Sequence, residues 1–278
     1  MLSHPLLPKL KELRLSGMAN TLEQRAALAS ANAMTPIDFL ALLLDDEIER
    51  RQNNRNEHRL KRAGFEDIKL LAQFDFAAVP TLDRSLVLAM ATCQFIQSHE
   101  NWLICGPTGL GKSHLATAIG YEAIKRGCTV LWGATHELLA DLFAARADAT
   151  YQKRLAAIAA VDLLILDDFG LRPVTPQGAQ DLYDIIHKRY ERGSIILTSN
   201  RAPAEWNEIF GDGLLASAAL DRLTHHARIT CLTGPSYRQR HRKIKDTTQI
   251  PQSAGPANAK GLAGSVTFEE GAEARATA

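Results

Sequence analysis

A glycine-rich segment carries the strongest chemical signal in the chain. It consists of Gly106, Pro107, Thr108, Gly109, Leu110, Gly111, Lys112, Ser113 and His114. The first eight residues match the pattern G-x-x-x-x-G-K-[ST], and they lie between an apolar run typical of a strand and a run typical of a helix. A chance glycine-rich turn would lack this context. Glycines let backbone N–H groups close around phosphate oxygens, and the amino end of a helix adds a favourable potential, so the segment predicts a phosphate-binding loop.

Three side chains of this loop have expected roles. Lys112 is expected to reach the β- and γ-phosphates of a nucleotide, and the Ser113 hydroxyl is expected to bind Mg²⁺. His114, the next residue along the predicted helix, completes the nucleotide-binding set.

A pair of carboxylates closes another apolar run. Asp167 and Asp168 follow Leu-Leu-Ile-Leu, and the carboxyl end of a parallel strand would place them beside the phosphate loop. Asp167 is expected to hold Mg²⁺, and Asp168 is expected to orient or deprotonate an attacking water. An isolated Asp-Asp pair can be an ordinary strand end, but its position downstream of a phosphate loop favours the functional interpretation.

A polar amide ends the next apolar run. Asn200 follows Ile-Ile-Leu-Thr-Ser and could face the γ-phosphate or the water. Alone this signal is weak, because Ser-Asn often begins a turn. In order with the loop and the acidic pair, it indicates hydrolysis of a nucleoside triphosphate. The sequence contains no N-K-x-D guanine signature, which favours ATP over GTP.

The elements that must position these residues are short apolar runs alternating with helical stretches. Such alternation predicts an α/β fold, with a parallel sheet and helices on both faces. The chain has 278 residues, 46% of them hydrophobic, which suffices for a buried core and excludes wholesale disorder. Its formal net charge of +1 does not indicate a globally basic protein, although local basic patches stay possible. The apolar runs are 102–105, 128–132, 163–166, 194–198 and 228–232.

Residues 1–75 are predicted to form an all-helical N-terminal domain. A first helix is expected to end at Gly17, and a second helix is expected over about 20–31. Thr35 and Pro36 are a capping residue and a first-turn proline for a third helix, which Gly64 should end. An ATPase domain is expected over 76–243. A disordered tail is expected over 244–278, which is rich in Ala and Gly and has few large apolar residues.

The remaining polar and sulfur chemistry is sparse. The four cysteines form no C-x-x-C pair, which argues against a thiolate zinc site and a disulfide framework. Cys105, Cys128 and Cys231 fall in apolar runs and are expected to be small buried residues in a reducing cytoplasm. His225 and His226 are adjacent, but no third ligand or nearby carboxylate supports a metal site there. No apolar run approaches the ~20 residues that span a bilayer, so a cytoplasmic protein without membrane contact is expected.

The motifs in their order resemble a known family. The segments LICGPTGLGKSHLATAIG, LLILDDFG, YERGSIILTSN, EWNEIFGD and LDRLTHHARI closely resemble the IstB-type transposition helpers of insertion sequences. These are AAA+ ATPases and relatives of the bacterial replicative-helicase loaders. The resemblance covers about residues 5–243. It implies a five-stranded parallel sheet of order 5-1-4-3-2, no helical lid after the last strand and a helical N-terminal region.

The resemblance also implies function. Family members bind ATP at subunit interfaces, assemble on double-stranded DNA and recruit a transposase. Arg222 matches the arginine that one subunit of an ATP-dependent oligomer supplies to the γ-phosphate of its neighbour. The alternative is a surface arginine paired with Asp221 or Asp212. Many AAA+ enzymes have Asp-Glu where this chain has Asp167-Asp168, and the shorter Asp168 side chain implies slow hydrolysis.

DNA contacts are placed by the same resemblance. The segment of about 135–160 reads as two helices broken near residues 147–149, and in initiator-type relatives an extra helix here faces DNA. Arg146, Lys153 and Arg154 are the candidate phosphate contacts, and a solvated helix face is the alternative. A helicase loader and a P-loop kinase of a small metabolite are the alternative functions. The kinase would need a mobile lid, often rich in arginine, for which the sequence gives no sign.

Overall fold

The computed structural model describes residues 5–237. The residues on both sides of the expected boundary at residue 75 belong to the same structural unit, so a separate N-terminal domain stays a prediction. The tail predicted over 244–278 lies outside the described residues. Within the described part of the chain, no helix is both long and apolar enough to cross a membrane.

The central sheet comprises β1 (Asn101–Cys105), β2 (Val130–Ala134), β3 (Leu163–Phe169), β4 (Ser194–Ser199) and β5 (Ala227–Cys231). All neighbouring strands are parallel, and their order is β2-β3-β4-β1-β5. Read from the opposite edge this order is 5-1-4-3-2, so the predicted fold and strand order are confirmed. The inner strand β1 is buried along its whole length, because helices cover both faces of the sheet.

Eleven α-helices accompany the sheet over residues 5–237. The helices α4–α6 pack on one face of the sheet, and the helices α7–α11 pack on the other. Trp102 and Ile104 of β1 face the first layer, whereas Leu103 and Cys105 face the second, as the two-residue period of a strand requires. The helices are α1 (Leu6–Glu12), α2 (Ser16–Ala31), α3 (Pro36–Ala63), α4 (Arg84–Ala91), α5 (Gln94–Gln97), α6 (Lys112–Lys125), α7 (Thr135–Ala147), α8 (Tyr151–Ala160), α9 (Pro176–Arg189), α10 (Asn207–Phe210) and α11 (Gly213–His225).

The first three helices have a small apolar cluster of their own. Its centre is Met18, Leu22 and Leu43, which bury the faces of α2 and α3 against each other. The far end of α3 instead joins the main core, where Ala63 is fully buried. The helical character predicted for this region is confirmed.

The predicted limits of α3 are also confirmed. Thr35 Oγ1 accepts a hydrogen bond from the Asp38 backbone N–H at 3.2 Å, and Pro36 is the first helical residue. Gly64 ends the helix with φ +79°, a left-handed conformation that glycine adopts without steric cost.

The role predicted for Gly17 is wrong. This residue lies in the first turn of α2 instead of ending α1, and the left-handed residue between the two helices is Arg14, with φ +57°. Gly17 is required there by a close approach, because a Cβ would come 2.7 Å from Glu47 Oε2 and 2.8 Å from Glu47 Cα.

Two further local expectations need correction. The second strand begins at Val130 rather than at residue 128, because the Cys128 N–H still bonds to the Ala123 carbonyl in the turn after α6. Cys231 is exposed on the edge strand β5, whereas Cys105 is buried as expected. Burial raises the pKa of the Cys105 thiol to about 12, which keeps it protonated and unreactive at neutral pH.

Candidate nucleotide site

The glycine-rich loop joins β1 to α6 at the carboxyl edge of the sheet. Gly109 and Gly111 have φ values of +85° and +82°, which side chains with a Cβ rarely adopt. A Cβ on Gly111 would also come 2.6 Å from the ring of Phe74, and a Cβ on Gly106 would overlap the carbonyl oxygen of Leu232. The glycines therefore allow both the curvature of the loop and its close packing.

Lys112 lies inside this loop, and its side chain is held there by three acceptors. Its Nζ donates to the carbonyl oxygens of Gly106 at 2.7 Å and Pro107 at 2.9 Å, and to Asn200 Oδ1 at 2.6 Å. Only 5% of Lys112 is exposed. The lysine is buried because its ammonium bridges the loop to Asn200, which directly follows β4.

The predicted Mg²⁺ ligands meet in the structure. Ser113 Oγ donates to Asp167 Oδ1 at 2.9 Å, and the same carboxylate oxygen accepts a hydrogen bond from Thr198 Oγ1. Thr135 Oγ1 donates to the Asp167 backbone carbonyl at 2.9 Å. Asp167 is buried, so these hydroxyls fix a carboxylate beside the loop. Neither Thr198 nor Thr135 was predicted from sequence: Thr198 lies in the apolar run that ends at Asn200 but had no expected role, and Thr135 belongs to no recognised motif.

Asp168 has an unusual backbone conformation. Its φ is +53°, in the left-handed region, and the pairing of β3 with β4 shifts register between Leu166 and Phe169. Thr198 Oγ1 accepts a hydrogen bond from the Asp168 N–H at 3.1 Å. Such conformations cost about 1–3 kcal/mol and concentrate at functional sites. The irregularity sets Asp168 apart from the regular alternation of β3, and it lines the same cleft as Asp167.

Five of the predicted site residues line one cleft of about 760 Å³: Lys112, Ser113, Asp167, Asp168 and Asn200. The segment that precedes α4 forms its opposite wall: Phe74 contacts the His114 ring edge-on at 5.5 Å, and His114 Nε2 lies 3.0 Å from the Leu70 carbonyl oxygen. Sequence reasoning missed this wall because it is irregular and carries no motif. A chain that begins at residue 76 would lack part of this wall. The wall and the other unpredicted lining residues include Glu66, Asp67, Lys69, Gln73, Phe74, Asp75, Ala78, Val79, Trp132, His136, Glu137 and Tyr237.

Arg222 does not line this cleft. It lies near the end of α11, just before β5 begins, whereas the loop lies where β1 ends. Its Nη1 donates to the Ala218 carbonyl at 2.7 Å, and its guanidinium lies 5.6 Å from the ring centroid of Tyr183. Arg222 therefore lies near the amino ends of the parallel strands, whereas Lys112 lies near their carboxyl ends.

The three candidate DNA contacts have different surroundings in the structure. The two helices predicted over about 135–160 are confirmed as α7 and α8. Arg146 is engaged internally: Asp181 accepts two hydrogen bonds from its guanidinium at 2.8 and 2.5 Å, and the guanidinium stacks on Tyr151 at 3.8 Å. Lys153 and Arg154 lie on the exposed face of α8.

The expectation that His225 and His226 have no nearby carboxylate is wrong. Glu191, in the turn between α9 and β4, brings a carboxylate oxygen close to both rings. The sequence hides this proximity because the two segments meet only through the order of strands β4, β1 and β5.

The fold and the site together define a class of protein. A parallel sheet of order 5-1-4-3-2, a phosphate loop after β1 and an acidic pair at the end of β3 are the features of a P-loop ATPase of the AAA+ type. Over residues 8–245 the chain matches the family model described as IstB-like ATP binding protein. The chain belongs to this family.

Individual relatives agree with this assignment. The chain is 37% identical over 250 residues to an insertion sequence IS21 putative ATP-binding protein of Pseudomonas aeruginosa, which covers 88% of this chain and 93% of the relative. It is 38% identical over 240 residues to an insertion sequence IS5376 putative ATP-binding protein of Geobacillus stearothermophilus, covering 86% of this chain and 96% of the relative. Among solved structures, the crystal structure of DnaI is similar in fold, with a TM-score of 0.50 and 23% identity over 59% of this chain and 91% of DnaI.

Proposed function

We propose that this protein is an ATP-dependent, DNA-binding helper of transposition that assembles into an oligomer and recruits a transposase. The observation that carries the proposal is the separation of Lys112 from Arg222. Lys112 and Arg222, which we propose contact the same γ-phosphate, lie at opposite ends of the parallel strands, so a single chain cannot bring both to one nucleotide. Two neighbouring chains can do so when the amino end of one sheet faces the carboxyl end of the other.

The residues of the cleft fit ATP and Mg²⁺. Backbone N–H groups of the loop and the Lys112 ammonium supply donors for phosphate oxygens. Ser113 and Asp167 offer adjacent hydroxyl and carboxylate oxygens, the ligand type that Mg²⁺ prefers. Bound Mg²⁺ would neutralise charge on the phosphates.

Asp168 and Asn200 are the proposed groups for hydrolysis. Both line the cleft, and Asn200 Oδ1 contacts the Lys112 ammonium at 2.6 Å. Asp168 would accept a proton from the attacking water, and Asn200 would hold that water or a phosphate oxygen. Asp168 is one methylene shorter than a glutamate, which supports slow turnover as part of the proposal.

DNA binding is proposed for the exposed face of α8. Lys153 and Arg154 are adjacent and exposed, so both can reach phosphates without breaking an internal contact. Arg146 is left out of this proposal, because its removal from Asp181 would leave a buried carboxylate without its cation.

Transposase contact is proposed for the N-terminal helices. Ile37, Leu40, Leu44 and Ile48 of α3 are between 45% and 79% exposed. Their spacing of three and four residues places them along one stripe of the helix. An apolar stripe of this kind suits a partner helix.

The proposal is tested by mixing two inactive variants. Lys112→Ala lacks the loop lysine, and Arg222→Ala lacks the arginine supplied to a neighbour, so each should be inactive alone. Mixed oligomers contain interfaces with one intact lysine and one intact arginine. We expect DNA-stimulated ATP hydrolysis to return on mixing, measured as phosphate release. Arg228→Ala, at an exposed arginine on the adjacent strand β5, is the matched control and should keep parent activity.

Failure of this test has specific meanings. If mixed oligomers form and no activity returns, Arg222 does not act between subunits. If DNA does not change the rate of ATP hydrolysis by the parent protein, and the protein phosphorylates a small metabolite, it is a P-loop kinase. If the protein binds a replicative helicase and no transposase, it is a helicase loader.

A further inference from the structure

Two turns at the amino edge of the sheet bring one carboxylate and two imidazoles together. Glu191 lies in the turn between α9 and β4, and His225 and His226 lie where α11 passes into β5. One possible ligand atom from each residue lies within 4.8 Å of the other two. Three atoms bound to one ion at about 2.1 Å are roughly 3.5 Å apart in tetrahedral geometry. Small side-chain rotations would therefore suffice to close this cluster around an ion.

A buried residue fixes the two turns relative to each other. The Asn101 side-chain oxygen accepts a hydrogen bond from the Ile195 N–H at 2.8 Å, and its amide donates to the Leu223 carbonyl at 2.9 Å. The Asn101 backbone N–H donates to the His226 carbonyl at 2.8 Å. Asn101 begins β1, between the strands that follow the two turns. The backbone beneath the three side chains is thus tied to the core, so little ordering is needed for them to converge.

A neighbouring hydroxyl orients one of the imidazoles. Tyr190 Oη lies 2.8 Å from His225 Nδ1. When Nδ1 carries the ring proton and donates it to this oxygen, the lone pair of Nε2 is available to a metal. Metal-binding histidines are commonly held in this way by a second hydrogen bond at the other ring nitrogen. On the other side, His226 Nε2 lies 3.7 Å from Glu191 Oε1.

The ligand set selects the class of ion. Two imidazoles and one carboxylate suit Zn²⁺, Co²⁺, Ni²⁺ or Cu²⁺, whereas Mg²⁺ and Ca²⁺ prefer oxygen ligands throughout. Three protein ligands leave a further position for water. We propose that Glu191, His225 and His226 form a binding site for a divalent transition-metal ion of the zinc class.

This site is separate from the nucleotide cleft. The cleft lies at the carboxyl edge of the sheet, and none of the three metal-binding residues lines it. Metal affinity measured without ATP, when no neighbouring nucleotide contacts Arg222, should therefore be the same in the parent and in Lys112→Ala. A failure of the proposed ATPase function would leave the metal site standing, and the reverse holds as well.

The experiment is a titration of the full-length protein, without an affinity tag, with Co²⁺ followed by its visible absorption. The chain contains nine histidines, so stoichiometry alone does not locate a site and variants are required. Glu191→Gln, His225→Gln and His226→Gln should each abolish the tight Co²⁺ spectrum. All three positions are exposed, so the substitutions leave the core unchanged, which circular dichroism would check.

Two further variants sharpen the test. Tyr190→Phe removes the hydroxyl that contacts His225 and Glu191 but keeps all three ligands, so it should keep the spectrum and weaken the affinity by about 10–100-fold. His58→Gln, at an exposed histidine on α3, is the matched control and should bind Co²⁺ as the parent does. Zn²⁺ should displace Co²⁺ from the parent, and excess Mg²⁺ should not.

The proposal is overturned by either of two results. Equal Co²⁺ affinity in the parent and in the three ligand variants would place the metal on other histidines. A parent protein that shows no saturable Co²⁺ or Zn²⁺ binding at micromolar to low millimolar metal would mean that the cluster is an exposed group of polar side chains without a ligand.

Discussion

Replacement of Lys112 by alanine separates the two roles that the structure gives this lysine. The substitution removes an ammonium that donates to Gly106 O, Pro107 O and Asn200 Oδ1 at 2.6–2.9 Å. Hydrogen bonds to a charged group contribute about 1.5–3 kcal/mol when buried. These three acceptors line or border an open cleft, where water can replace the lost donor. We therefore expect the free energy of unfolding to fall by only about 1–2 kcal/mol.

That loss has a measurable thermal consequence. For a protein of this size 1 kcal/mol shifts Tm by about 2–4 °C, so Lys112→Ala should melt about 2–8 °C below the parent. Its far-UV circular dichroism should match that of the parent. A fall of more than about 4 kcal/mol would mean that the lysine is a core element and that the cleft does not admit water.

The effect on ATP is expected to be larger than the effect on stability. Removal of one charged hydrogen bond to phosphate costs roughly 1.5–3 kcal/mol, which is about 10–150-fold in Kd. ATP affinity would be measured by fluorescence titration with a labelled nucleotide. The matched control is Lys125→Ala on the same helix, where the ammonium is half-exposed and pairs with Glu122. An ATP affinity of Lys112→Ala equal to that of the control would refute the assignment of the loop.

Four other measurements address the remaining residues. Asp168→Asn should keep ATP binding and cut hydrolysis by about 10²–10⁴-fold, because asparagine tolerates the left-handed conformation but its amide cannot accept a proton; parent-rate turnover would exclude Asp168 as the activating group. The double variant Lys153→Ala and Arg154→Ala should lower the slope of log affinity for duplex DNA against log salt concentration by about 1.8. The double variant Lys125→Ala and Arg126→Ala is the charge-matched control. An equal slope and affinity in the parent and the α8 variant would mean that Lys153 and Arg154 do not contact DNA. The buried guanidinium of Arg189 donates hydrogen bonds to five backbone carbonyls, and its burial lowers the pKa of Arg189 to about 10. Arg189→Met should reduce the free energy of unfolding by at least about 3 kcal/mol, whereas the control Lys188→Met, at an exposed position, should leave it nearly unchanged. Equal urea midpoints for the two variants would contradict this prediction. Hydrogen bonds from Arg50, Arg51 and the Gly17 N–H lower the pKa of Glu47 from 4.5 to about 2. The ionised Glu47 therefore contributes its full stabilisation of the fold above about pH 4.5, and this contribution is lost as the pH falls towards 2. Glu47→Gln should remove this pH dependence from the free energy of unfolding, measured by denaturant titration between about pH 2 and 4.5.

Sequence alone determined the features that depend on local chemistry. The loop from Gly106 to Ser113 is recognisable because left-handed backbone and close phosphate approach demand glycines at fixed spacing. The start of α3 at Thr35 and its end at Gly64 follow from capping, which involves only neighbouring residues. The fold class and strand order followed from the alternation of elements and from the family resemblance, and both are confirmed.

The tertiary structure alone decided which distant segments meet. The hydrogen bond between Lys112 and Asn200 depends on β4 lying beside β1, and no local pattern encodes it. The same holds for Glu191 beside His225 and His226, and for Arg146, whose charge is taken up by Asp181 across the fold. Contacts of this kind arise when strands pair and helices pack, because side chains far apart in sequence then share one small volume. The spacing of residues within a segment indicates its secondary structure, whereas the segments that it contacts are determined only by the tertiary packing.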